Sequence, residues 1–213
     1  MKGKRIAIVT GGTLGEWTLE ELREDDILVG SDRGALFLIE HGLQPHISMG
    51  DFDSVTAEEK DRIRSSSHAF LDCDPIYKDL TDTEMSFQWA LEQKPASIVL
   101  LGALGTRFDH SLANVHLLRK GIEYDVPCTI IDASNEIMVI DQPTRIQRGR
   151  YTHVSLLPLS LEVTGITLHG FQYALHKATL QIGQSLGISN VLLMQEGLIE
   201  LDSGLLLVIQ SKD

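Results

Sequence analysis

Carboxylates recur in this sequence at spacings that would let them share a metal ion. In Gly50-Asp51-Phe52-Asp53-Ser54 two aspartates alternate around a phenylalanine, so one tight loop can present hard oxygen ligands of the kind Mg²⁺ takes. A second cluster, Lys78-Asp79-Leu80-Thr81-Asp82-Thr83-Glu84, puts Asp79, Asp82 and Glu84 at an expected helix start, with Lys78 just before them. Read as chemistry, Asp79 and Asp82 complete an acidic metal site with Asp51 and Asp53, and Lys78 balances a phosphate. Four carboxylates held close repel strongly, so this reading carries its own demand for a cation. Read as local structure alone, the first cluster is an Asx-rich turn with a helix cap, and the second suits a helix dipole. That plainer account explains Asp82 and Glu84 and leaves Lys78 unexplained.

A third cluster, Gly102 to Asn114 (GALGTRFDHSLAN), runs from an apolar stretch through a glycine-containing turn into a helical pattern. Gly102 and Gly105 let the backbone come close to a ligand, and Arg107 can form a bidentate fork to phosphate. A strand-to-helix turn with a surface pair of Arg107 and Asp109 accounts for the same residues. His110 adjoins Asp109 and suits either a nucleotide contact or a helix cap. The segment matches neither G-x-x-x-x-G-K-[ST] nor the dinucleotide fingerprint. The eight histidines form no H-E-x-x-H pair, which removes metalloprotease chemistry.

All three clusters follow apolar runs, and the loops at the carboxyl ends of strands converge in open α/β sheets. Strands are expected at Arg5 to Val9, Asp26 to Val29, Ile47 to Met49, Ala69 to Leu71, Ser97 to Leu101 and Val126 to Ile131, with amphipathic helices between them. Thr81 with Glu84 and Thr56 with Glu59 fit capping boxes. Met85 with Trp89, and Leu112, Val115 and Leu118, form apolar stripes. This rhythm predicts a mainly parallel α/β domain over residues 1–133. Beyond it the helical period fades. Short strands are expected at Glu136 to Ile140, Tyr151 to Leu157, Leu161 to Leu168, Phe171 to Ala178 and Asn190 to Gln195, and Asp202-Ser203-Gly204 reads as a hairpin turn between Leu198 to Leu201 and Leu205 to Ile209. Residues 134–213 are therefore expected to form a small C-terminal β-sandwich.

The 213 residues, 43% of them hydrophobic, suffice for one large core or two modest ones. Their apolar runs fall far short of the roughly 20 residues of a membrane helix, and the basic start lacks a secretory pattern, so a cytoplasmic protein is expected. A net charge of -12 disfavours binding to nucleic acid. Cys73 and Cys128 lack metal-ligand spacing and are expected as buried free thiols.

The three clusters, in this order and spacing, resemble the signature set of thiamine pyrophosphokinases. Ser31 to Ala35 (SDRGA) is similar to the family's DGGA-type turn, with Arg33 where many members carry glycine, and Gly187, Ser189 and Asn190 resemble its G-x-SN segment. The resemblance implies an ATP-binding α/β domain, a thiamine-binding β-sandwich, and a homodimer whose active sites lie between subunits. It implies Mg²⁺ at Asp51, Asp53, Asp79 and Asp82. ATP falls to Asp32, Arg33, Gly34, Asp53, Lys78, Asp79, Arg107, Asp109 and His110, and thiamine to Thr81, Asp82, Ser189 and Asn190. Asp82, with Asp79 beside it, is the expected catalytic carboxylate. Two rivals share these residues: a Mg²⁺-dependent phosphohydrolase, and a sensor that binds without turnover.

Overall fold

The computed structural model describes residues 3–73 and 79–213. Two compact units divide the chain, Met1–Ala133 and Ser134–Asp213. Unit 1 contains β1 (Arg5–Val9), α1 (Glu16–Glu21), β2 (Ile27–Ser31), α2 (Arg33–Glu40), β3 (Ile47–Gly50), α3 (Ala57–Ser66), β4 (Phe70–Asp72), α4 (Asp82–Glu92), β5 (Ser97–Leu101), α5 (Phe108–Glu123) and β6 (Cys128–Ile131). Its strands pair in the order β4-β3-β2-β1-β5-β6, every pair parallel. Strands covered on both faces need side chains that are apolar without alternation, and β1 (RIAIV) and β5 (SIVLL) are buried at every position but the first.

At the amino end of β1, Arg5 clamps Asp26, Nε to Oδ1 at 2.8 Å and Nη2 to Oδ2 at 2.7 Å, and the Asp26 side chain has no exposed surface. The same carboxylate accepts the Arg23 N–H at 2.8 Å, so its charge is matched on three sides. The helices depart in detail from the expected stripes. In α4 the buried positions are Ser86, Phe87, Ala90 and Leu91, with Met85 and Trp89 half-buried at the margin. In α5 they are Asn114, Leu117, Leu118 and Gly121, and Leu112 is exposed. α4 packs over β1, β2 and β3, and the broad bed of strands takes the face with the smaller steps, Ser86 and Ala90, alongside Phe87 and Leu91.

Unit 2 contains β7 (Asn135–Ile140), β8 (Thr144–Gln147), β9 (His153–Pro158), β10 (Glu162–His169), β11 (Ala178–Gln181), β12 (Glu196–Glu200) and β13 (Leu206–Ser211). β13 pairs antiparallel with β7 and β9, and a second antiparallel set runs β11-β10-β12-β8. Both sets supply one buried cluster that includes Ile146, Leu156, Val163, Ile166, Ile199 and Val208.

Three expectations are corrected here. Asp202-Ser203-Gly204 does not close a hairpin, because β12 and β13 belong to different sets. The turn bonds instead to Thr164 of β10, with Thr164 N to Ser203 O at 3.1 Å, Asp202 N to Thr164 O at 2.9 Å and the Thr164 and Ser203 hydroxyls 2.8 Å apart. Phe171 to Ala178 and Asn190 to Gln195 are not regular strands but meet through isolated bridges such as Phe171 with Leu192. The Asn190 side chain replaces the ladder there, accepting from Tyr173 N at 3.0 Å and Val191 N at 2.9 Å and donating to Tyr173 O at 2.7 Å. Finally, Cys128 is buried, its thiol pushed up to about 12 by burial, whereas Cys73 is only half-buried, with Sγ 3.2 Å from Met85 Sδ. No helix among the described residues is long and apolar enough to cross a membrane.

Removing one partner of a buried ion pair strands the other. Asp26→Ala is therefore expected to cost about 3–5 kcal/mol in urea unfolding; a loss under about 1 kcal/mol would show that water reaches Arg5 freely.

Candidate active site

The carboxyl ends of the strands of unit 1 open into one cavity of about 720 Å³. Thr10, Gly11 and Gly12 after β1, Asp32 after β2, Asp51, Asp53 and Ser54 after β3, and Gly102 to Arg107 after β5 form its walls, with the first turns of α4 and α5. β2 flanks β1 on one side and β5 flanks it on the other, so the cavity sits where the strand order reverses. Such switch points are where open α/β sheets receive ligands.

The floor is a seam between the β1 and β5 loops. Thr10 N donates to Leu101 O at 2.8 Å, Gly12 N to Gly102 O at 2.8 Å and Thr13 N to Leu104 O at 2.9 Å, and buried Thr10 adds Oγ1 to Gly102 O at 2.7 Å. The approach is so close that a Cβ on Gly12 would collide with the carbonyl oxygens of Gly102 and Leu104. Ser111, in the first turn of α5, accepts the Gly105 N–H at 3.1 Å and its hydroxyl lies 3.2 Å from the Arg107 carbonyl, so the loop that carries Arg107 is tied to its helix. Asn114 Nδ2 donates to Ala103 O at 2.7 Å from a buried position.

The acidic wall is built on a turn that buries its central residue. Phe52 has φ 57°, is 2% exposed and stacks on Phe70 with ring centroids 4.8 Å apart. Asp51 and Asp53, on either side of it, line the cavity, and Asp53 N donates to Asp51 Oδ1 at 3.1 Å. Asp32, at the amino end of α2, completes the group: oxygens of Asp32, Asp51 and Asp53 lie within 4.8 Å of one another. Ser54 Oγ donates to Asp32 Oδ2 at 2.6 Å, while Asp32 Oδ1 is buried and has no hydrogen-bond partner among the described residues. Burial raises the Asp32 pKa, Asp82 and Asp53 push the same way, and the Ser54 hydroxyl works against them.

Asp79, Thr81 and Asp82 line the same cavity, and Asp82 Oδ1 braces the acidic turn by accepting the Asp51 N–H at 3.2 Å. Thr81 caps α4 by accepting from Glu84 N at 3.1 Å, but the reciprocal half of the expected box is not made, because the Glu84 carboxylate is held by Lys120 Nζ at 2.8 Å. The box at Thr56 and Glu59 is complete. Lys78 lies outside the described residues. Arg107 and His110 line the cavity, and exposed Arg107 grips Asp109 with Nη2 to Oδ2 at 2.6 Å, which holds the Asp109 carboxyl below its ordinary pKa.

Arg33 faces a separate cavity of about 340 Å³ that shares Gly11 and Gly12 with the first. Gly34 is buried where a side chain would strike the Val9 carbonyl, so its place is one of packing. Ser189 and Asn190 lie in unit 2, with Ser189 at φ 56° and three of the four Asn190 amide valences spent on backbone. The sequence reading passed over Thr10, Gly11 and Gly12, although Thr-Gly-Gly directly after an apolar strand was the available signal. Ser54, Ser111 and Asn114 fell inside the expected clusters but without a role, which only the closeness of the loops reveals.

Two family models cover most of the chain: "Thiamin pyrophosphokinase, catalytic domain" matches residues 19–130, and "Thiamin pyrophosphokinase, vitamin B1 binding domain" matches 137–206. The sequence is 34% identical over 218 residues to the thiamine pyrophosphokinase of Bacillus subtilis (strain 168), covering 99% of this chain and all of the relative. The crystal structure of a thiamine pyrophosphokinase from B. subtilis superimposes with a TM-score of 0.91 at 32% identity, over 99% of this chain and 100% of the other. That of Geobacillus thermodenitrificans gives 0.88 at 36% identity, over 98% of both chains. Yeast thiamin pyrophosphokinase shares the fold at 14% identity, with a TM-score of 0.80 over 100% of this chain and 87% of the other.

With its pKa raised, Asp32 keeps its proton in the folded chain to higher pH than in the unfolded one, so stability falls as pH rises through that window. In chelator at neutral pH, Asp32→Asn is expected to raise the melting temperature, with the gain shrinking as pH falls toward the ordinary carboxylate value of 3.8. Scanning calorimetry across pH decides it; a lower melting temperature at neutral pH would mean the Ser54 bond outweighs the buried charge.

Proposed function

The chain belongs to the thiamin pyrophosphokinase family and has that family's activity, transfer of the pyrophosphoryl group of ATP to thiamine, and we propose how its residues divide that work. Unit 1 binds ATP and unit 2, as a β-sandwich, contributes to thiamine binding in a cytoplasmic homodimer whose active sites lie between subunits. The family resemblance and the description of the model matching residues 137–206 support that division. The observation that carries the reading is the convergence of the acidic turn, the start of α4 and the β1/β5 seam on one cavity at the switch point of the sheet.

The residues present fit a divalent cation. Three carboxylates with oxygens within 4.8 Å of one another, with Asp32 Oδ1 buried and without a hydrogen-bond partner among the described residues, make a hard anionic site of the kind a divalent cation takes. Asp32, Asp51 and Asp53 would hold Mg²⁺, with Asp79 and Asp82 bordering it. When bound, the ion supplies charge neutralisation at the phosphate oxygens.

The thiamine hydroxyl oxygen bonds to the β-phosphorus of ATP as the bond from that phosphorus to the α,β-bridging oxygen breaks, and AMP leaves with the electron pair. Asp82 takes the hydroxyl proton. Its position at the first turn of α4, braced on the Asp51 N–H, fixes it on the cavity wall. Thr81 and Asp79 border the same space. Arg107, oriented by Asp109, and Lys78 offset phosphate charge, and His110 contacts the nucleotide. Catalysis of this kind rests on positioning and electrostatics. Asp32 and Asp53 would hold the cation on the ATP side of the cavity, while Arg33 and Gly34 shape the α2 start beside it. Ser189 and Asn190 form a rigid turn in unit 2 that presents its surface to thiamine.

A mass-spectrometric assay with ATP, Mg²⁺ and thiamine is expected to give thiamine diphosphate and AMP in equal amounts, with neither formed without thiamine or in chelator. AMP or ADP formed without thiamine would favour a hydrolase, and binding without product a sensor. Asp82→Asn is expected to lower kcat by about 10²–10⁴-fold with an unchanged melting curve; near-normal turnover would remove Asp82 from the proton-transfer role.

A further inference from the structure

The acidic turn holds an aromatic residue at positive φ, a conformation costing on the order of 1–3 kcal/mol that persists only where surrounding contacts enforce it. Phe52 is enforced from one face by Phe70. Lys60 of α3 supplies the other restraint: its Nζ lies 5.5 Å from the Phe52 ring centroid and donates to the Asp51 carbonyl at 3.2 Å. The ammonium is itself anchored by Asp72 Oδ1 at 2.8 Å, at the end of β4. Its helix is fixed by the complete capping box at Thr56 and by buried Ile63. Lys60 does not line the cavity.

We propose that Lys60 is a positioning residue for the cation site, holding the Asp51 main chain so that the Asp51 and Asp53 carboxylates stay directed at one point. This rests on the reading of Asp32, Asp51 and Asp53 as cation ligands. The ammonium has two effects of opposite sign on a bound cation. Its charge repels the cation, so loss of charge alone would tighten binding. Its hydrogen bond orders the turn, so loss of order weakens binding. Asp72 partners the charge at 2.8 Å, and the tether to Asp51 is the larger effect.

Mn²⁺ binding, followed by the electron paramagnetic resonance of the free ion, separates the two. Lys60→Met is expected to weaken Mn²⁺ binding by about 10- to 100-fold, the range seen when partners behind metal ligands are removed, and Lys60→Arg to restore much of it. Should the methionine variant not fold, Lys60→Gln is read for the same sign. In the assay the Mg²⁺ concentration for half-maximal rate rises while kcat at saturating Mg²⁺ is largely recovered, a split that general destabilisation would not give. Unchanged or tighter Mn²⁺ binding in Lys60→Met, with Asp53→Asn losing it, would overturn the role of Lys60 alone. Undiminished binding in Asp53→Asn would overturn the cation reading and this proposal with it.

Discussion

Carboxylates crowded at the ends of parallel strands repel one another, and much of unit 1 serves to hold them against that repulsion. Asp32, Asp51 and Asp53 meet because β2 and β3 are neighbours in parallel register, ending side by side. Asp82 arrives from α4 to take the Asp51 N–H. None of these contacts removes the charge. Restraint comes from the buried Phe52 ring, the Lys60 tether, the Ser54 hydroxyl and the Thr81 cap, all neutral or remote from the cavity. Stability spent on a functional site in this way is a common trade.

Across the cavity the constraint is steric. The seam between the β1 and β5 loops brings backbone against backbone, with Gly12 under the carbonyls of Gly102 and Leu104 and Ser111 tying the outer part of the loop to α5. One wall therefore carries fixed negative charge and the other close-packed main chain, and Arg107 stands at the rim. Under the proposed function a metal-bound polyphosphate would satisfy both walls, the cation answering the carboxylates and the phosphate oxygens answering Arg107.

The sequence was most readable where one local property sufficed. β1 and β5 are uninterrupted apolar runs and emerge within their expected bounds. The acidic turn was visible as alternation around Phe52. Nothing in the sequence, however, puts Asp32 beside Asp51, because that closeness belongs to strand pairing across 19 residues of chain. Periodicity found α4 and α5 and put Leu118 on the buried side, but it misplaced Met85, Trp89 and Leu112, since burial is decided by the strands beneath. In unit 2 the signal failed where side chains replace ladder bonds, as at Asn190, and where a turn sequence joins strands of different sets, as at Asp202 to Gly204. The family match was legible because it lies in short loop segments whose residue types the chemistry constrains.

Anomalous diffraction from crystals soaked in Mn²⁺ shows whether the three crowded carboxylates share one cation. A peak coordinated by oxygens of Asp32, Asp51 and Asp53 at roughly 2.0–2.3 Å, the range of hard divalent cations, is expected. A peak bound elsewhere in the chain, with those three carboxylates bare, would contradict a shared site.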